Sequence, residues 1–475
     1  MTIQREHPTS GPFPALGFST LESEVTVEEL PLQGEIPAWL SGSLLRTGPA
    51  KFEVGEDSLR HWFDGLAMLH RFTIADGSVS YGNRFLNSRS YRAARDEGKL
   101  AYREFASDPC RKLFRRVHSM FSGSEITDNA SVSIARLGER FIAMTEGPIP
   151  VEFDADTLEA AGVTPYRAPG QISTAHPHVD RSDGAIINYA SKLGASSSYR
   201  IFSVGPDGAP TRKLCSLPTR EPSYMHSFGL TGRWVVLAEY PLVVNPVSLA
   251  LSGRPFIENF RWKPERGTRF TLVDRSSGEA VSGFRSEPCF AFHHVNSYED
   301  GDEVLVDICA YPDASIVQSL YLDHLRAGGP VPAGTLTRFH LRPSDGSVTR
   351  ETLCEAPIEL PRISYERCNE RPYHHVWGVG VGASGWIDEI LKVELRDGST
   401  LGWRNEGCFP GEPVFVPRPG AYHEDDGVLL SVVLDAGTQR SFLLVLDAAD
   451  LFEVARAELP HHVPFGFHGH FDAGA

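Results

Sequence analysis

The chain has 475 residues, 41% of them hydrophobic and 10% aromatic, so it can bury a large core, and its formal net charge of −16 argues against nucleic acid as a partner. No run approaches the ~18 consecutive apolar residues of a membrane-spanning helix. The seven cysteines (Cys110, Cys215, Cys289, Cys309, Cys354, Cys368 and Cys408) are odd in number and lack CxxC spacing, which points to reduced thiols in a cytoplasmic protein and not to a disulfide frame or zinc site.

Met1-Thr2-Ile3-Gln4-Arg5-Glu6-His7 lacks the apolar core of a signal peptide. Residues 1–39 read as a polar lead-in. Gly42-Ser43-Leu44-Leu45-Arg46-Thr47-Gly48-Pro49 reads as a strand closed by turn residues. A module then recurs: a short apolar strand, an Asp-Gly or similar turn, and a second strand. Copies begin at Phe72, Phe153, Phe202, Leu272, Phe339, Val393 and Val445, at intervals of 49 to 81 residues. Asp-Gly suits the two-residue loops that join antiparallel strands, and irregular strand-rich repeats of about 50 residues suit propeller blades. The expectation is one all-β domain over residues 1–475, a seven-bladed β-propeller with loops and short helices capping one face.

Residues 111–121 combine Arg111, Lys112, Arg115 and Arg116 with Leu113, Phe114, Val117, Met120 and Phe121, which share one side at helical spacing. A basic helix with an apolar face, in a chain of opposite overall charge, is the pattern of an interfacial segment. Residues 246–257 are apolar with basic residues following, and both stretches predict a peripheral contact with a lipid surface.

Four stretches bear histidines in suggestive places: His176-Pro177-His178, Met225-His226, Phe292-His293-His294 and Phe467-His468-Gly469. Counted from the first histidine of each, the spacings are 50, 67 and 175 residues, roughly one, one and three blades. The innermost strands of a propeller face one central channel, so histidines at equivalent points on four blades meet on the axis. Four neutral imidazoles with no thiolate or carboxylate ligand suit iron, copper or zinc, and with open cis positions they best fit Fe(II) and oxygen chemistry. A metal-bound imidazole gives its other N–H to a carboxylate or carbonyl. Glu146, Glu359 and Glu412 stand at strand edges where they can accept it. After the paired histidines, Val304, Val306 and Ile308 alternate as in a half-buried strand.

The motifs His61-Trp62-Phe63-Asp64-Gly65, Thr127-Asp128-Asn129-Ala130, Thr174-Ala175-His176-Pro177, Phe292-His293-His294-Val295-Asn296, Glu412-Pro413-Val414-Phe415-Val416, Glu424-Asp425-Asp426-Gly427 and Phe467-His468-Gly469 occur in this order. Together they resemble the carotenoid cleavage oxygenases, non-haem Fe(II) seven-bladed propellers, from about Leu40 to Phe471. The resemblance implies His176, His226, His293 and His468 as iron ligands, selecting His176 over His178 and His293 over His294. It implies that Glu146, Glu359 and Glu412 hydrogen-bond three of them, with His226 left as the ligand without a Glu partner. Val132 matches a small side chain beside a vacant coordination position, Phe63 and Phe105 match aromatic tunnel positions, and residues 111–121 and 246–257 match a nonpolar tunnel rim.

The stretches around Phe105 and Thr127 look closest to the carotene oxygenase and retinoid isomerase branch. The implied activity is O2-dependent cleavage of one double bond of a carotenoid or apocarotenoid into two carbonyl products. Alternatives are a retinoid isomerase-type reaction, alkene cleavage of a stilbene, and carotenoid binding without turnover. The absence of lysine between Lys112 and Lys192 counts against a stilbene.

Overall fold

Each of the seven strand-turn-strand modules folds as an antiparallel hairpin. In the first, Leu66–Ala75 pairs with Ser78–Phe85 through Asp76 and Gly77, whose φ angles are 51° and 79°. A two-residue loop with both φ positive matches the twist of antiparallel strands, and Asp-Gly is the pair that adopts it at least cost. The structure, a computed structural model, describes residues 14–108, 126–164, 167–208, 211–382 and 384–474. Seven sheets of four to six strands are arranged as the blades of a β-propeller, and in every one the module supplies the third and fourth strands counted outward from the axis.

The two ends of the chain meet in the first blade. Gly469–Asp472 pairs antiparallel with Gly42–Lys51, setting Ser43 opposite Asp472 and Arg46 opposite Gly469. The described part of the lead-in, from residue 14, carries two short strands. Thr26–Val27 adds an edge strand to Ser78–Phe85 of the first blade, and Leu32–Gly34 adds one to Glu453–Glu458 of the seventh. Leu30, Ile36 and Leu40 are buried with Leu44 and Phe72 of the first blade and with Leu430 and Val445 of the seventh. The junction that closes the ring is therefore apolar as well as hydrogen-bonded, and each fully buried aliphatic or aromatic side chain there contributes roughly 1.5–3 kcal/mol.

The core lies between neighbouring sheets, which changes how the middle strands read. In Glu303–Ala310, Val304, Val306 and Ile308 pack into one cluster with Phe292 and Phe339. Leu305 and Cys309, on the opposite face, pack into another with Leu336, Cys354 and Val376. The expected half-buried strand is thus buried on both faces, because a blade is sandwiched between two others. Among the described residues the helices are short, and none is long and apolar enough to cross a membrane. Residues 111–121 lie outside the described residues.

Asp307 shows what this burial demands of a charge. It is 0% exposed and accepts two hydrogen bonds from Arg338, each 2.8 Å, and one from the Tyr373 hydroxyl at 2.6 Å. Asp307→Ala leaves a half-buried guanidinium and a buried phenol without their acceptor, so it should lower stability by about 3 kcal/mol, measured by denaturant unfolding.

Candidate metal centre

Each of four histidines stands where the chain enters an innermost strand. His176 lies between Ile172–Ser173 and His178–Val179, His226 shortly before Gly229–Leu230, His293 directly before His294–Asp300, and His468 directly before Gly469–Asp472. One ring nitrogen from each lies within 4.8 Å of all the others. His176 Nε2 is 3.0 Å from His226 Nε2, and His293 Nε2 is 3.2 Å from His468 Nε2. Their sequence neighbours bond elsewhere: His178 Nε2 to the Phe228 carbonyl at 3.0 Å, and His294 Nδ1 to Ser227 Oγ at 2.9 Å.

Burial and the adjoining imidazoles hold His176 well below the usual histidine range. Burial likewise brings His468 down to about 4, against the opposing pull of Glu412. Neutral imidazoles are the form that binds a metal ion. The donor set is nitrogen only, with no thiolate among the residues that converge, so it fits a divalent transition metal such as iron.

Three of the four rings are held from behind by carboxylates. Glu146 Oε1 accepts from His226 Nδ1 at 2.7 Å, Glu359 Oε2 from His293 Nδ1 at 2.5 Å, and Glu412 Oε1 from His468 Nδ1 at 2.6 Å. The expectation that His226 lacks a Glu partner is corrected: that position belongs to His176, which no carboxylate holds among the described residues. The reason is geometric. The Glu146 carbonyl accepts from Ser173 N in the third blade at 2.8 Å, and from there its carboxylate reaches past that blade to His226 in the fourth. Burial alone would raise the Glu412 carboxyl, but the Arg362 guanidinium and His468 hold it at about 2. Glu359 is also kept below the usual carboxylate range, its burial outweighed by His293 and by donors from Leu360 N and Tyr311.

Two cavities meet at this centre, of about 180 Å³ and about 60 Å³, and both have Phe63 and His226 in their walls. Phe105, Val132, Leu249 and Phe256 line the larger; Phe292, Ile316, Trp386 and Phe467 line the smaller. The Phe63 ring lies 5.1 Å from those of Phe105 and Phe467 and 6.1 Å from that of His226. Asp64 fixes this arrangement. Wholly buried, it accepts from His61 N at 3.0 Å, Ala106 N at 2.8 Å and Ser107 Oγ at 2.7 Å, tying the Phe63 turn to the Phe105 segment. Burial raises its carboxyl to about 6 in spite of these donors. Val132 is buried, and its carbonyl accepts from His468 N at 3.2 Å.

The sequence profile of the retinal pigment epithelial membrane protein family matches residues 18–473. The chain belongs to the carotenoid cleavage oxygenase family. It is 33% identical to a mitochondrial carotenoid-cleaving dioxygenase of Pongo abelii over 94% of this chain and 93% of that protein. It is 34% identical to a beta,beta-carotene 15,15'-dioxygenase of Rattus norvegicus over 93% of this chain and 88% of that one. A variant of the Synechocystis apocarotenoid oxygenase superposes with a TM-score of 0.87 at 27% identity, covering 98% of this chain and all of that one.

Within this carotenoid oxygenase fold, three polar side chains that the sequence did not flag stand behind the carboxylates: Tyr224, Tyr311 and Arg362. Tyr224 stands two residues before His226 in the segment that leads into Gly229–Leu230, and its partner Glu146 lies 78 residues away. Tyr311 and Arg362 had no readable signal, because their partners lie 48 and 50 residues away on other blades. Glu359→Gln should preserve the fold yet weaken metal retention by roughly 10- to 100-fold, measured by competition with a chelator.

Proposed function

We propose that this protein uses O2 to cleave one conjugated double bond of a carotenoid or apocarotenoid, giving two aldehyde or ketone products, at an Fe(II) ion held by His176, His226, His293 and His468. Four imidazoles backed by three carboxylates, at the junction of two cavities, carry this reading. The relatives named as carotenoid-cleaving and carotene dioxygenases support the reaction class. When bound, the iron supplies the activation of O2. The side chains of the chain do the rest. Glu146, Glu359 and Glu412 keep three rings oriented with their free nitrogens on the axis. Phe63, Phe105, Phe292 and Phe467 form walls that exclude water and hold a rigid polyene with one double bond beside the centre. Val132 lines the larger cavity together with Phe63 and His226.

Protein purified without O2 and loaded with Fe(II) tests this with β-carotene and with a shorter apocarotenal. Paired carbonyl products should form only when O2 is admitted, with one O2 consumed per bond cut. Turnover of a retinyl ester without O2 would move the protein to the isomerase reaction, and tight carotenoid binding with no product would make it a carrier.

The substrate class is insoluble in water, and the wall of the larger cavity continues to an apolar surface. Val247 and Leu251, one turn apart in the helix Pro246–Leu251, are 61% and 57% exposed, while Leu249 between them is buried and lines the cavity. This exposed pair would seat the cavity mouth on a lipid surface. Wild type should float with anionic vesicles, and Val247→Asp with Leu251→Asp should sediment free of them; equal flotation would show that the helix takes no part in lipid binding.

A further inference from the structure

Each carboxylate that holds a histidine accepts a further hydrogen bond from a side chain outside the centre. Tyr224 donates its hydroxyl to Glu146 Oε1 at 2.7 Å, the oxygen that also accepts from His226. Tyr311 donates to Glu359 Oε1 at 2.9 Å, while His293 uses Oε2. Arg362 donates to Glu412 Oε2 at 2.9 Å, joined there by Gly469 N at 2.8 Å, while His468 uses Oε1. Both tyrosines are 3% exposed, so their hydroxyls have little water to compete for them.

A carboxylate that faces only an imidazole N–H passes much of its charge to that ring and makes it a stronger electron donor to a metal. A second donor on the carboxylate draws part of that charge away. All three carboxylates here are so relieved, and among the described residues none faces His176. The four rings are therefore kept weak donors, and weak donors favour the ferrous over the ferric ion, because hydrogen bonding around the ligands is one of the levers that set an iron potential. Resting on the iron assignment above, we propose that Tyr224, Tyr311 and Arg362 are positioning residues that set the redox poise of the centre and keep its iron ferrous in air.

The test uses the full chain loaded with one Fe(II) per molecule under argon, then exposed to air without substrate. The ferric signal is followed by electron paramagnetic resonance and the midpoint potential is measured by titration. Tyr224→Phe and Tyr311→Phe should each favour the ferric form, by about tenfold in the ferric-to-ferrous ratio, equivalent to about 59 mV downward for one electron. Arg362→Met should do the same, and Arg362→Lys, which keeps the charge, should recover part of the shift. Tyr373→Phe is the control: it removes a hydroxyl from another buried carboxylate, Asp307, and should lower stability without moving the potential. Unchanged or raised potentials in both tyrosine variants, with iron bound as in wild type, would overturn the proposal. Failure of wild type to take up iron would instead overturn the metal assignment, and the inference with it.

Discussion

The centre depends on one constraint: seven sheets must share an axis. Counted around the ring, each blade gives it one side chain. His468 comes from the first blade and Glu146 from the second. His176, His226 and His293 come from the third, fourth and fifth, and Glu359 and Glu412 from the sixth and seventh. Six of the seven sit at or beside an innermost strand, where the backbone hydrogen bonds of the sheet already hold them; Glu146 follows the second strand of its blade. No blade could place a ligand usefully alone. The geometry of the site is the geometry of the ring.

Burying that much charge requires full hydrogen bonding, since an unpaired buried carboxylate is far costlier than a paired one. Glu359 meets the requirement with His293, Leu360 N and Tyr311, and Glu412 with His468, Gly469 N and Arg362. Glu146 does so with His226 and Tyr224. Of the three, Glu412 alone receives a full positive charge from its outer donor, and the Arg362 guanidinium helps hold its carboxyl at about 2 against the effect of burial.

The blade count and the four histidines are legible in the sequence because both are local. An Asp-Gly turn between two apolar runs declares its hairpin within a dozen residues, and a histidine at the mouth of an innermost strand recurs at blade spacing. What crosses between blades is not legible. Nothing near Glu146 indicates that it passes over the third blade to reach His226, so a reading of the sequence leaves the wrong ring without a partner. Val304 to Cys309 alternates as a one-sided strand would, yet both faces are covered, because the second cover comes from a neighbouring blade. Residues 26–34 look like a polar leader since two- and three-residue edge strands carry no periodic signal.

The pairing of Gly469–Asp472 with Gly42–Lys51 has a consequence for the order of events during synthesis. The strand that shuts the ring follows all the other blades in the sequence, and His468 immediately precedes it. A ribosome that has translated six blades has made three of the four imidazoles but has nothing to hold them at their final spacing. Contacts across so long a stretch of chain form late, because closing the intervening loop costs entropy before the contact can repay it. The four-histidine cluster is thereby completed only after the seventh blade has emerged and the first has gained its distant strand, so a half-made chain lacks the fourth imidazole of the group.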